Sequence, residues 1–150
     1  MTEPERTAER NRELQAEAME AQHEVLAWLM RTLAERGAAG APKSELGQLL
    51  RQLVSQTANH FEEEEQYMTD LGHPKLDTHR IIHRELLAML QRHVAEFEQG
   101  DGRLGPKVLG YLKYFLGAHL EGMDRHLAQF SRSLRRPSSG LRKVSIPSEP

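Results

Sequence analysis

Two helical segments and the turn between them lie in residues 60–90, HFEEEEQYMTDLGHPKLDTHRIIHRELLAML. On both sides of the turn, apolar residues recur at alternating intervals of three and four, which is the spacing of a helix with one buried face. Gly72 and Pro74 stand between the two segments. A glycine after a helix and a proline at the start of the next are typical of such a turn. The stretch therefore predicts two amphipathic helices joined by a short turn.

The same spacing covers four segments of the chain, which are separated by the Gly- and Pro-containing stretches RGAAGAP, LGHP and EQGDGRLGP. This pattern predicts an all-α fold, an up-down-up-down four-helix bundle. The predicted helices run from about Glu5 to Arg36, from about Ser44 to Asp70, from near Pro74, and from near Leu104. We expect the bundle to occupy residues 1–131. Residues 132–150 are rich in Ser, Pro, Arg and Lys, and we expect them to form a disordered basic tail.

Composition restricts the function further. The net charge is −2, and the basic tail leaves about −6 on the rest of the chain, so we expect no nucleic-acid partner. Cysteine is absent, which excludes disulfides, iron–sulfur clusters and thiolate zinc sites. The charged N-terminus is unlike a signal peptide, and no apolar run reaches the length of a membrane span. We therefore expect a soluble, cytoplasmic protein with no membrane partner.

Seven ionisable residues fall on the predicted inner faces of the helices: His23, His60, Glu64, His79, His83, His119 and Asp124. A hydrophobic core tolerates such groups only when they are paired or ligated. The candidate partner of these groups is therefore a pair of metal ions, bound by the seven residues together. Imidazole also suits zinc, copper and nickel, so the donor atoms leave the metal open.

The spacing of these residues supports a shared site. His60 and Glu64 are four apart, as are His79 and His83, so each pair projects from one face of its helix. One HxxxH pair arises easily by chance, and the prediction rests on its coincidence with histidines on the other inner faces. His119 and Asp124 are five apart, which places them about 140° from each other on an α-helix. We therefore predict a π-bulge between them.

Three motifs carry a family resemblance: HFEEEEQYM (60–68), HPKLDTHRIIH (73–83) and FLGAHLEGMD (115–124). In order and spacing they resemble the bacterial hemerythrins, four-helix-bundle proteins that bind oxygen at a non-haem di-iron centre. The resemblance implies two iron ions joined by an oxo or hydroxo bridge, with O2 as the ligand of the second. It assigns His79, His83 and His119 to one iron, His23 and His60 to the other, and Glu64 and Asp124 to both. It also implies an oxygen pocket walled by Leu26, Phe61, Phe115, Leu116 and Leu120.

The function implied by this resemblance is reversible O2 binding for storage, delivery or sensing, in a protein that is not an enzyme. One alternative is a redox or oxygen sensor that signals to a protein partner through the C-terminal tail. Another is a di-iron peroxidase or ferroxidase, which needs a proton donor near the open iron.

The remaining histidines and two aromatic residues are expected to have ordinary structural roles. We expect His73 to be exposed in its turn, His93 to lie at the surface or core boundary, and His126 to be partly exposed near a helix end. We expect Trp28 and Tyr67 to be packing residues.

Overall fold

The computed structural model describes residues 1–135, without the side chains of Phe115, Asp124 and Arg135. Three long helices come first, α1 (Glu3–Ala38), α2 (Lys43–Leu71) and α3 (Leu76–Gln99). A fourth rod follows, built from α4 (Pro106–Gly110), a π-helical segment (Tyr111–Gly117) and α5 (Ala118–Arg135). Helix α1 packs on α2, α2 packs on α3, and the fourth rod contacts α1 and α3. Because short loops reverse the chain between them, the predicted four-helix bundle is confirmed.

Local signals explain where the helices begin and end. The Thr2 hydroxyl accepts a hydrogen bond from the Glu5 amide at 3.3 Å, and the Glu5 carboxylate accepts one from the Thr2 amide at 2.6 Å. This reciprocal pair is a capping box that opens α1. Helix α2 ends at Gly72, whose φ of 65° is a left-handed conformation that glycine adopts without strain. Helix α3 begins two residues after Pro74, within a turn of the predicted start.

The core consists of two apolar clusters, with the candidate ligands between them along the helices. The larger cluster includes Leu26, Leu33, Leu50 and Leu90, all with no exposed surface. The smaller cluster consists of Met19, Tyr67, Met68, Leu71, Met123 and Leu127. The order along each of α1, α2 and the fourth rod is apolar, ligand, apolar. The ligands therefore form a polar layer inside a core that is apolar on both sides.

Two predictions about the outer parts of the bundle need correction or restriction. Tyr67 is packed as expected, but Trp28 is 51% exposed, so the prediction that it is a packing residue of this bundle is wrong. Trp28 follows Leu26 by two residues, and residues two apart point to opposite sides of a helix. Helix α5 continues to Arg135, so residues 132–135 of the predicted tail are helical. Residues 136–150 lie outside the described part of the chain.

The π-helical segment ends before His119, and residues 118–135 are α-helical. The predicted position of the π-bulge, between His119 and Asp124, is therefore wrong. Val108, Leu112, Leu116 and Leu120 are all buried and lie four residues apart. On a regular α-helix, each such step turns a side chain about 40° away from the core. The wider π turn corrects this drift, so that all four leucine and valine side chains face inward.

We expect Gly117→Ala to destabilise the fold by roughly 1–3 kcal/mol, the usual range for an overpacked position. A Cβ at Gly117 would lie 2.8 Å from the Leu112 carbonyl oxygen, so the π turn would have to shift. Urea denaturation measures the change. Gly122→Ala is the matched control, since a Cβ there meets nothing within 4 Å and alanine favours helix. Equal or greater stability of the Gly117 variant would contradict the π geometry.

Candidate metal centre

Glu64 lies at the centre of the candidate site, on α2, with 2% of its surface exposed. Its Oε1 lies 2.9 Å from Nε2 of His83 on α3. Its Oε2 lies 3.4 Å from Nε2 of His60, one turn earlier on α2. The two carboxylate oxygens therefore face imidazoles from two different helices.

The fourth rod brings His119 to the same place. The ring centroids of His83 and His119 are 5.2 Å apart, with the rings at 89°. Among the described side chains, Glu64, His83 and His119 each offer a ligating atom within 4.8 Å of the others. Glu64 Oε1 and Nε2 of both histidines are buried and have no partner in hydrogen-bonding geometry within the described chain. Because buried polar atoms are almost always paired, this converging set fits a bound metal cation.

His79 joins the site from α3, one turn before His83. Its ring centroid lies 6.1 Å from that of His83 and 6.4 Å from that of His119. Three helices thus contribute histidines around Glu64.

The far side of each candidate ligand histidine on α2 and α3 is held by a hydrogen bond. When Nδ1 donates, Nε2 keeps the lone pair that a metal needs, and such partners are typical of metal-ligating histidines. His60 Nδ1 lies 3.0 Å from Gln22 Oε1. His79 Nδ1 lies 2.9 Å from the Lys75 carbonyl oxygen, and His83 Nδ1 lies 2.8 Å from Glu65 Oε2. The donors are therefore oriented before any metal binds.

Sequence reasoning missed two of these partners, Gln22 and Glu65. Gln22 directly precedes His23, and Glu65 directly follows Glu64, so each lies beside an inner face and outside its apolar pattern. Glu65 also belongs to an acidic run that reads as a solvated surface. Adjacency to a candidate ligand was the signal available in the sequence.

Burial and local contacts set the protonation of the donors. Burial opposes ionisation of Glu64, but its contacts with His60 and His83 outweigh burial and lower the Glu64 pKa to about 2. Burial, helped by nearby His83, lowers the pKa of His119 to about 4. At neutral pH the site therefore offers a carboxylate and a neutral imidazole, the forms that bind metal.

Apolar side chains border the donors. The Phe61 ring stacks on His83 with centroids 4.0 Å apart and meets His119 edge-on at 5.9 Å. Leu26, Leu116 and Leu120 are buried in the larger core cluster. The Phe115 side chain lies outside the described residues. Phe61, a predicted pocket residue, thus lies directly against two of the candidate ligands.

The other two predicted ligands are His23 and Asp124. His23 is half-buried on α1 and is not among the described groups that converge within 4.8 Å. The Asp124 side chain lies outside the described residues, although its backbone is part of α5. The assembled part is Glu64 with histidines from α2, α3 and α5, and the roles of His23 and Asp124 stay predictions.

The prediction that His73 is exposed is wrong. His73 is 6% exposed, and its Nε2 lies 3.0 Å from Nε2 of His126, while its Nδ1 accepts a hydrogen bond from the Lys75 amide at 3.1 Å. The turn folds back over the end of the bundle, which buries the imidazole against α5. His126 is half-buried as expected. His93 is also half-buried, with its ring 4.9 Å from that of Tyr111, which confirms its predicted boundary position.

We expect Glu65→Ala to weaken metal binding by roughly 10- to 100-fold, the usual effect of losing a partner that orients a ligating histidine. Without Glu65, His83 loses the acceptor of its Nδ1 proton. Titration with a divalent cation measures the affinity. Arg80→Ala is the control, because Arg80 pairs with the other Glu65 oxygen at 3.4 Å and is 47% exposed, and surface pairs of this kind contribute little. Equal affinities of the wild type and the Glu65 variant would contradict the orienting role.

Comparisons with known proteins agree with this site. Residues 14–130 match the hemerythrin HHE cation binding domain. The bacteriohemerythrin of Stenotrophomonas maltophilia (strain R551-3) is 24% identical over 98 residues, which cover 60% of this chain and 63% of that protein. The bacteriohemerythrin of Ralstonia nicotianae (strain ATCC BAA-1114 / GMI1000) is 27% identical over 108 residues, 72% of this chain and 75% of that protein.

No solved structure gives a significant match to this chain. Within its described part, no helix is both long and apolar enough to cross a membrane. The family match covers well over half of the sequence and includes all seven candidate ligands, from His23 to Asp124. The chain therefore belongs to the hemerythrin family of cation-binding four-helix proteins.

Proposed function

We propose that this chain binds O2 reversibly at a non-haem di-iron centre and acts as an oxygen store, carrier or sensor in the cytoplasm of a bacterium. The observation that carries the proposal is the position of Glu64. One of its oxygens faces His83 and the other faces His60. A carboxylate whose two oxygens are directed at imidazoles of different helices is suited to two cations at once.

We assign the ligands to the two ions as the resemblance to hemerythrins implies. His79, His83 and His119 would hold one iron, His60 and His23 the other, and Glu64 and Asp124 would contact both. When bound, a pair of ferrous ions supplies the redox chemistry for taking up and releasing O2.

The protein would contribute orientation and exclusion of water. Glu65, Gln22 and the Lys75 carbonyl hold three imidazoles with Nε2 directed inward. Phe61 covers His83 face-on, and an apolar wall around a metal site limits access of water and protons. These features favour release of bound O2 without chemical change.

Two features favour a carrier over an oxidase or peroxidase. Five imidazoles and two carboxylates give a less negative donor set than four-carboxylate di-iron sites, so highly oxidised iron is less stabilised. An enzyme would also need an acid free to give up a proton near the site. Glu65, an acid beside the ligands, is engaged by His83 and Arg80.

Anaerobic reduction followed by exposure to air tests the proposal. The purified, iron-loaded protein is reduced, air is admitted, and the visible spectrum and the iron content per chain are recorded. We expect a colourless form that gains an absorption band in air, loses it again under vacuum, and holds two irons. Colour that develops irreversibly would favour a sensor or oxidase, and less than one iron per chain would contradict the di-iron proposal.

A further inference from the structure

Helix α1 carries a second apolar stripe, which is exposed rather than buried in its own bundle. Its members recur at intervals of four, three, four and three residues, and we call it the outer stripe: Leu14, Ala18, Ala21, Val25 and Trp28. Leu14, Val25 and Trp28 are 49%, 44% and 51% exposed, and they are three of the seven large hydrophobic side chains exposed in the described chain. Alternating intervals of three and four are the spacing by which one helix packs along another.

Helix α1 is also longer than its own bundle requires. It has 36 residues, against 29 in α2 and 24 in α3, and its first buried residue is Met19. Residues 3–18 therefore include no fully buried side chain. Because most helical stability comes from packing of an apolar face, the part of this extension before Leu14 gains little from the bundle, whereas Gln15 bonds to Asp70 of α2 and Ala16 packs against the smaller core cluster.

We propose that two copies of this chain associate through the outer stripe, with their α1 helices antiparallel. If Ala21 lies opposite Val25 of the second copy, then Ala18 lies opposite Trp28. A small side chain then faces each large one, and both copies make the same contacts, as twofold symmetry requires. A parallel pair would place Trp28 against Trp28 and Ala18 against Ala18, which crowds one layer and leaves a void in another.

The end of the stripe fits the same register. The next position in the series, four residues after Trp28, is Thr32, which is half-buried. In the antiparallel pair, Thr32 of each copy lies opposite Leu14 of the other. Leu14 thus also meets a smaller side chain, whose methyl group supplies an apolar contact and whose hydroxyl can reach solvent at the edge of the interface.

The charges beside the stripe favour the antiparallel orientation. Glu17 and Arg31 are exposed and flank the stripe on one side. In the antiparallel pair, Glu17 of each copy lies beside Arg31 of the other, which gives two opposite-charge contacts. In a parallel pair, Arg31 would instead lie beside Arg36. Two Glu24 side chains meet near the twofold axis, where exposure to solvent and salt weakens their repulsion.

The length of α1 extends the contact beyond the stripe. In this register, residues 8–13 of one copy run beside residues 33–38, the last part of α1, of the other. The exposed turns at residues 8–13 thereby gain a partner surface beyond the stripe.

Sedimentation of the metal-loaded full chain at micromolar concentrations tests the association. We expect a dimer, and we expect Trp28→Glu to weaken dimerisation by more than about tenfold, as for a tryptophan buried in an interface. Ile81→Glu is the matched control, because Ile81 is also 51% exposed but lies on α3, and it should leave the dimer intact. Trp28 is the single tryptophan, so its fluorescence should shift to shorter wavelength as the protein concentration rises.

Cross-linking tests the orientation, since the chain has no native cysteine. With a short bifunctional thiol reagent, the two Glu24→Cys side chains should cross-link across the twofold axis, whereas the two Glu17→Cys side chains would lie about 21 Å apart along the helices. Equal cross-linking at both positions would mean a parallel pair and overturn the proposal. A monomer at all concentrations would also overturn it. The proposal would also be overturned by a monomer whose Trp28 becomes more exposed when residues 136–150 are removed, because the tail would then cover the stripe.

Discussion

Glu64→Ala is expected to abolish binding of both metal ions together, with the metal content falling towards zero per chain. Each oxygen of this carboxylate faces a different histidine, so its loss removes a ligand from both halves of the site. It also leaves Nε2 of His60 and of His83 without their nearest anion. The fall in affinity should exceed the roughly 10- to 100-fold cost of losing an orienting partner.

Metal analysis after dialysis and titration calorimetry provide the measurement for Glu64→Ala. Glu62→Ala is the matched control, because it lies in the same acidic run and is exposed. His60→Ala should weaken binding of one ion and leave the other bound, because His60 contacts only one Glu64 oxygen. Loss of a single ion from the Glu64 variant, with normal affinity for the second, would rule out a shared carboxylate.

Removal of metal is expected to lower the melting temperature by roughly 5–10 °C when the metal is present at about 100 times its dissociation constant. Ligand binding at that ratio contributes about 2.7 kcal/mol, and each kcal/mol is about 2–4 °C for a chain of this size. The physical reason is that Glu64 Oε1 and Nε2 of His83 and His119 are buried without hydrogen-bond partners. A cation held between them satisfies all three.

The metal-free protein should also become less stable in mild acid. The pKa of His119 is lowered to about 4 by burial, whereas an unfolded histidine titrates near about 6.5. The unfolded chain therefore takes up more protons, and stability falls as the pH drops from about 6.5 towards about 4. Scanning calorimetry with and without metal, at neutral pH and at about pH 5, measures both effects. Identical melting temperatures with and without metal would contradict a buried shared site.

The bundle could be predicted from the sequence because it depends on local periodicity. The apolar spacing identifies the inner face of each helix. It thereby predicts correctly that four candidate ligands are buried: His60, Glu64, His79 and His83. The four-residue spacing from Val108 to Leu120 also contained the signal for the π segment, but the spacing of the ligands predicted it after His119, beyond its observed end at Gly117.

Contacts between helices could not be predicted in the same way. The bonds of Gln22 to His60 and of Glu65 to His83 depend on how far each helix slides along its neighbour. The burial of His73 depends on how the turn after α2 meets α5. Periodicity within one helix contains no information about these offsets.

The fourth rod makes fewer contacts with the other helices than α1 and α3 make with α2. Its backbone approaches α1 and α3 at few points, whereas α1 and α3 lie close to α2 along much of their length. Yet this rod carries His119, which completes the converging donors. Elements with few tertiary contacts open at the lowest free energy, so amide hydrogen exchange in the metal-free chain should be fastest in residues 106–135. A bound cation would then hold this rod against the other helices. Transient opening of the rod would expose the buried donors and let ions reach them.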